Sequence, residues 1–116
     1  MNVGLQGSRS FDDYAVFMRA MGVALSPLKY DDDSLTIYCA GPAKLNNFAT
    51  GFVNLSEDGM KARGMSIKLR KVPLSWLAEN MNTMDYFAFL ASPQEHWSRL
   101  THVADESGCE VGVFQY

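Results

Sequence analysis

Short apolar runs of strand length alternate along this chain with longer stretches whose apolar positions recur at helical spacing, and few folds accept that order. Val3 to Leu5 is apolar, and Gln6 to Ser10 supplies turn residues. From Phe11 the apolar positions fall at Tyr14, Ala15, Met18, Met21, Gly22 and Leu25, which predicts a helix; Ser10 followed by Asp13 resembles its capping box. Asp31 to Asp33 reads as a solvated turn before a strand at Leu35 to Ala40. Gly41-Pro42 breaks that strand and opens a second helix, with a stripe of Leu45, Phe48, Ala49, Phe52, Val53 and Leu55 that runs out at Asp58-Gly59. Residues Ser66 to Val72 alternate, with Ile67 and Leu69 facing one way and Lys68 and Arg70 the other, as in a half-exposed edge strand.

Leu74 to Met81 reads as a short helix, and the continuous apolar run Tyr86 to Ala91 as a strand covered on both faces. Gln94 to Glu106 predicts a last helix with Trp97, Leu100, Thr101 and Ala104 on one side and Gly108 as its C-cap, before a final strand at Glu110 to Tyr116. Five strands joined by four helical connections imply an α/β fold: a single doubly wound five-stranded parallel sheet, Rossmann-like, of order 3-2-1-4-5. The switch point then falls between the strands at Val3 and Tyr86, and ligands in such sheets bind outside the carboxyl ends at that crevice.

With 116 residues the chain allows one domain over 1–116. Its 47% hydrophobic and 20% charged content excludes intrinsic disorder and a coiled coil. The longest uninterrupted apolar run, Tyr86 to Ala91, is far short of the roughly 18 residues of a membrane span, and Met1 to Gly7 lacks the basic flank and apolar core of a secretory signal. A cytoplasmic protein without a membrane partner is expected, with Cys39 and Cys109 as small apolar residues and not a disulfide. A net charge of −3 argues against a protein that coats nucleic acid over its whole surface.

Within that frame the candidate ligand residues lie on the strand-end loops. Gly7, Ser8, Arg9 and Ser10 form a glycine turn entering a helix, where N–H groups and the helix dipole suit an anion and Arg9 adds a charge-assisted contact. Gly41, Pro42 and Ala43 supply the opposing wall, and Ser92 and Pro93 close the crevice. Asp12 and Asp13 read as first-turn acids stabilised by the dipole. Glu95 closes the crevice with Ser92 and Pro93, and His96 is a candidate acid or base within it. His96 and His102 are six apart and share no helix face, so no metal and no cofactor is expected. Lys61, Arg63, Lys68, Arg70 and Lys71 place five of the ten basic residues within eleven positions without an acid among them, a strip suited to a protein or nucleic-acid partner. Trp76, Met81 and Met84 read as core or as the contact of a homo-oligomer.

Gly7-Ser8-Arg9-Ser10-Phe11-Asp12-Asp13-Tyr14 resembles the opening of the YspA/YpsA-related branch of the SLOG superfamily, the Rossmann-like group that includes the DprA and LOG proteins. Leu35 to Gly41, Lys71-Val72-Pro73-Leu74-Ser75-Trp76, Met84-Asp85-Tyr86-Phe87-Ala88-Phe89 and Thr101 to Phe114 continue the resemblance in order over nearly the whole chain. It implies a nucleotide or nucleotide-derived ligand at the switch point and, in active members, cleavage of an N-glycosidic bond, for which Glu95 stands nearest the family's acidic position. Two departures accompany it. Ala40-Gly41-Pro42-Ala43-Lys44-Leu45-Asn46 keeps one glycine of the second loop, and Pro93-Gln94-Glu95-His96-Trp97-Ser98-Arg99-Leu100 has none of the glycines that follow strand four. Without them backbone N–H groups do not reach a phosphate closely, and His96 and Trp97 are expected to fill that space. The resemblance therefore implies a divergent binder without the hydrolase activity. The alternative is a small interaction protein, of the kind phages and mobile elements encode, using the 61–71 strip.

Overall fold

A computed structural model describes residues 1–28 and 34–116, so the acidic turn read at 31–33 lies outside the described residues. Along the chain run β1 (Asn2–Gly7), α1 (Tyr14–Ala24), β2 (Ser34–Cys39), α2 (Ala43–Ala62), β3 (Ser66–Lys71), α3 (Leu74–Glu79), a 3-10 turn at Met81–Thr83, β4 (Tyr86–Ala91), α4 (Arg99–Glu106) and β5 (Glu110–Gln115). The strands form one parallel sheet of order β3-β2-β1-β4-β5. This is the doubly wound α/β arrangement that the alternation predicts.

Each face of the sheet has its own core. On the first face, Phe17, Ala20 and Met21 of α1 and Leu45 and Ala49 of α2 pack on Val3, Leu5, Leu35, Ile37, Ala88 and Leu90. On the second, Leu77 of α3 and Leu100 and Ala104 of α4 pack with Met81 on Phe87, Phe89 and Ala91. Consecutive residues of β4 point to opposite faces, so its six buried residues serve both cores. Phe87 and Phe89 are essentially without solvent contact, and each such side chain stabilises the fold by about 1.5–3 kcal/mol through burial. β3 lies at the edge and alternates as its charges require, with Ile67 buried and Lys68 and Arg70 exposed.

All four helices differ from the sequence reading at one end: α3 stops at Glu79 and not at Met81, which opens the 3-10 turn, and the starts of α1 and α4 are set by capping. α1 starts at Tyr14, because Asp13 is its N-cap and its carboxylate accepts the Val16 N–H at 3.0 Å; Ser10 lies in the preceding turn and caps nothing. α4 starts at Arg99 and not at Gln94, because Ser98 and Thr101 form a reciprocal capping box. α2 does not stop at Asp58-Gly59 but runs on to Ala62, since an exposed helical glycine costs only about 1 kcal/mol. The chain turns only at Gly64, where φ is +77°.

Candidate functional site

The carboxyl ends of β1, β2 and β4 bring the predicted loops together, and the loops bond to one another. Gly7 N–H donates to the Gly41 carbonyl at 2.9 Å, and Ser8 N–H to the Leu90 carbonyl at 2.9 Å. The Ser8 hydroxyl accepts the Ser92 N–H at 2.9 Å, and the Ser92 hydroxyl donates to Glu95 Oε1 at 3.2 Å. Gly7 passes beneath the start of α2: a Cβ there would stand 3.0 Å from Pro42 Cδ and 3.3 Å from both Leu45 and Phe11. Gly41 leaves β2 with φ +87°, a conformation that glycine adopts without strain. Pro42 is the N-cap residue of α2, and Ala43 opens the helix as an exposed residue. The backbone N–H groups of Gly7, Ser8 and Ser92 are thus spent on neighbouring loops. The start of α2 differs, since Pro42 supplies no side-chain cap to its first-turn N–H groups.

Polar side chains form a rim. Arg9 is exposed and has no ion-pair partner among the described residues. The Ser10 hydroxyl bonds that of Tyr116 at 2.9 Å, and Tyr116 packs edge-on against Phe11. Asp12 faces Lys44 across the mouth at 3.8 Å, a solvated pair contributing at most about 1 kcal/mol. Pro93 and Glu95 are exposed. The expectation that His96 and Trp97 fill the crevice is corrected here. Both lie before α4, in a loop and not in a helix; Trp97 is 50% exposed, and His96 Nδ1 accepts from Gln115 Nε2 at 2.9 Å out on the rim. A second Gln115 bond to the Glu95 carbonyl, 3.1 Å, holds this loop against β5.

Sequence reasoning missed the cavity beside these loops. Between α3 and α4, above the end of β1, lies a space of about 280 Å³, walled by Leu74, Ala78 and Leu100, with Gln6, Ser75, Glu79 and Arg99 as its polar groups. Gln6 points to the second face, where its Oε1 accepts from the Ser98 hydroxyl at 2.8 Å. That bond joins the cavity floor to the N-cap of α4. The signal was present in sequence: Gln6 is a polar residue in an apolar strand, and Arg99 opens the last helix once its cap is placed at Ser98. Small-molecule sites run to roughly 300–1,000 Å³, and this space of about 280 Å³ lies just below that range. A depression of about 370 Å³ among Met1, Pro27, Asp85, Tyr86 and Glu110 lies instead at the amino ends of β1, β4 and β5.

The five basic residues of 61–71 do not all share one surface, although Lys61 and Lys68 line one depression together with Glu57. Lys61 lies in the last turn of α2 and Arg63 caps it. Lys68 and Arg70 project from the other face of β3. Lys71, in step with Ile67 and Leu69, returns to the α2 side at the opposite end of the strand. An alternating strand cannot present consecutive residues on one side. Among the described residues no group of three or more His, Cys, Asp or Glu side chains is placed to hold a metal ion, and no helix is long and apolar enough to cross a membrane.

These features define a Rossmann-like α/β protein with its loops and one cavity at the switch point. The chain matches no protein-family model and no curated protein. Among solved structures it is similar to Mycobacterium tuberculosis shikimate dehydrogenase, with a TM-score of 0.44 and 12% identity. The match covers 97% of this chain and spans 43% of that protein's length.

Proposed function

We propose that the protein binds a nucleotide or a nucleotide-derived small molecule at the switch point of the sheet, without the hydrolytic chemistry of the SLOG superfamily it resembles. One observation carries the reading: the cavity between α3 and α4 opens at the carboxyl end of β1, with Arg99, Glu79 and the neutral polar side chains of Gln6 and Ser75 around it. Doubly wound sheets bind ligands at this crevice. Arg99 meets a phosphate or carboxylate, Gln6 and Ser75 meet the hydrogen-bonding edge of a base or sugar, and Leu74 and Leu100 cover its apolar face. Arg9 and Ser10 extend the site on the other side of β1. Gly7, Ser8, Gly41, Pro42, Ala43 and Ser92 hold the loops in register, and Pro93 shapes the rim. Glu95 is exposed, and its carboxylate accepts from the Ser92 hydroxyl, a bond within its own loop.

Calorimetric titration with mononucleotides, nucleosides and NAD-derived fragments tests this reading. Saturable binding that Arg99→Ala weakens at least tenfold is expected, with the Arg9→Ala variant reporting whether the anionic part extends to the β1 loop. Silence across the panel refutes it. Release of free base from a bound mononucleotide, abolished by Glu95→Gln, would restore the hydrolase.

A further inference from the structure

On the second face of the sheet, α3 and α4 pack over the β1–β4–β5 side and leave the β2–β3 side largely open. Register places Thr36 beside Lys68 and Tyr38 beside Arg70 on that side. Lys68 and Arg70 are exposed, whereas Thr36 and Tyr38 are half-buried. Trp76 of α3 reaches over to stack on Tyr38, with ring centroids 5.1 Å apart and planes 17° from parallel. The Arg70 guanidinium lies 5.1 Å from the Trp76 ring centroid and 5.5 Å from that of Tyr38. Neither Lys68 nor Arg70 has a carboxylate at ion-pair distance among the described residues.

The two rings stack face to face and the Arg70 guanidinium lies against both, so the cation–π contacts hold Arg70 in place before anything binds. Lys68 lies two residues along the same strand face, about 6.6 Å away. In a chain of net charge −3 these two cations form a local basic cluster whose complement is a row of anions. We infer that the Lys68–Arg70–Tyr38–Trp76 surface binds single-stranded nucleic acid, with phosphates on Lys68 and Arg70 and a base laid on the Arg70–aromatic platform. Unpaired bases stack on aromatic rings and on guanidinium planes. An acidic peptide would use the two charges and leave the Arg70 guanidinium plane, already held against the Tyr38–Trp76 stack, without a stacking partner, so the observations favour the nucleic acid. This surface lies on the same face of the sheet as the cavity between α3 and α4 but shares none of its lining residues, and the Lys68→Glu/Arg70→Glu variant leaves that lining intact.

The test uses the full chain carrying Trp97→Phe, so that Trp76 is the sole tryptophan, titrated with short oligothymidylate or oligouridylate. Binding is expected to quench Trp76 emission. Two phosphate contacts give a log–log salt slope of about −1.4 at about 0.7 per contact for single strands, a roughly sevenfold weakening between about 50 and 200 mM salt. Lys68→Glu with Arg70→Glu should weaken binding at least tenfold; both side chains are exposed, and a circular dichroism melt verifies the fold. Arg70→Lys should preserve the salt slope and reduce the quench. The inference is overturned by no binding, by binding that the double variant leaves unchanged, by inorganic polyphosphate binding as tightly as the oligonucleotide without a quench (charge alone), or by preference for oligoglutamate (a protein partner).

Discussion

Ser8 shows how much of the strand-end loop geometry rests on single polar atoms. Its side chain is 4% exposed, and its hydroxyl is the acceptor for the Ser92 N–H. Ser8→Ala leaves that N–H without its partner, and a buried unsatisfied donor costs about 1–3 kcal/mol. Urea unfolding is expected to show a loss in that range, with the m-value unchanged. Cys39 makes a second residue-scale prediction. Burial pushes its thiol up from 9.0 to about 11, against the opposing effects of a Gly41 backbone hydrogen bond and the Lys71 charge. The unfolded chain releases this proton near 9 and the folded chain near 11, so the stability the thiol contributes is complete below pH 9 and is lost as pH rises toward 11. Two pH units at about 1.36 kcal/mol each place the loss on the order of 2–3 kcal/mol. Cys39→Ala should show a shallower fall in unfolding free energy between pH 8.5 and about 10.5 than the parent chain, whatever its baseline stability, and native Cys39 should resist thiol reagents at neutral pH. Cys109 shifts in the same direction, chiefly by burial and then by the Asp85 and Glu110 carboxylates, but it is only half-buried and contributes less.

At the scale of elements, α4 couples a helix cap to the cavity. Ser98 receives the Thr101 N–H at 3.2 Å and donates to Gln6 at 2.8 Å. Ser98→Ala therefore removes a cap, costing about 0.5–2 kcal/mol, and frees the Gln6 amide. On the proposed function it should also lower ligand affinity, whereas Asp13→Ala, which removes the comparable cap of α1, should lower stability alone. Calorimetry and thermal melts of the two variants separate these effects. The strands were more legible in sequence than the helix ends, and for a physical reason. Ile67–Leu69 alternation and the Tyr86–Ala91 run report burial directly, and burial is what a sheet imposes. Helix starts depend on which of several nearby polar side chains wins the cap: Ser10 and Asp13 both fit the pattern, and Asp13 holds it. The site was legible to the extent that connectivity dictates it, since alternation alone places loops 7–10, 41–43 and 92–95 together. The spending of their N–H groups on each other and the cavity on the far side of Gln6 depend on contacts between distant residues, which no local pattern carries.

At the scale of the whole molecule, the sheet has two unlike edges. β3 carries Lys68, Arg70 and Lys71, and charged edge residues discourage pairing with other strands. β5 carries one charge, Glu110, and is half-buried along Val111 to Phe114, where Gly112 makes room for the Tyr86 ring: a Cβ there would run into the Tyr86 hydroxyl and Phe114. β5 thus shields β4, whose six residues are all buried. A chain ending at Gly108 would turn Tyr86–Ala91 into an exposed apolar edge on the strand that serves both cores, the arrangement most prone to intermolecular pairing. Such a chain should lack a cooperative melt and sediment as aggregates. Gly112→Ala in the full chain should retain the fold and lose about 1–3 kcal/mol through overpacking. If the truncated chain instead stayed monomeric with a sharp melt, β5 would be an accessory strand and the fold would close on β4, so the pair of measurements decides how far the last strand completes the molecule.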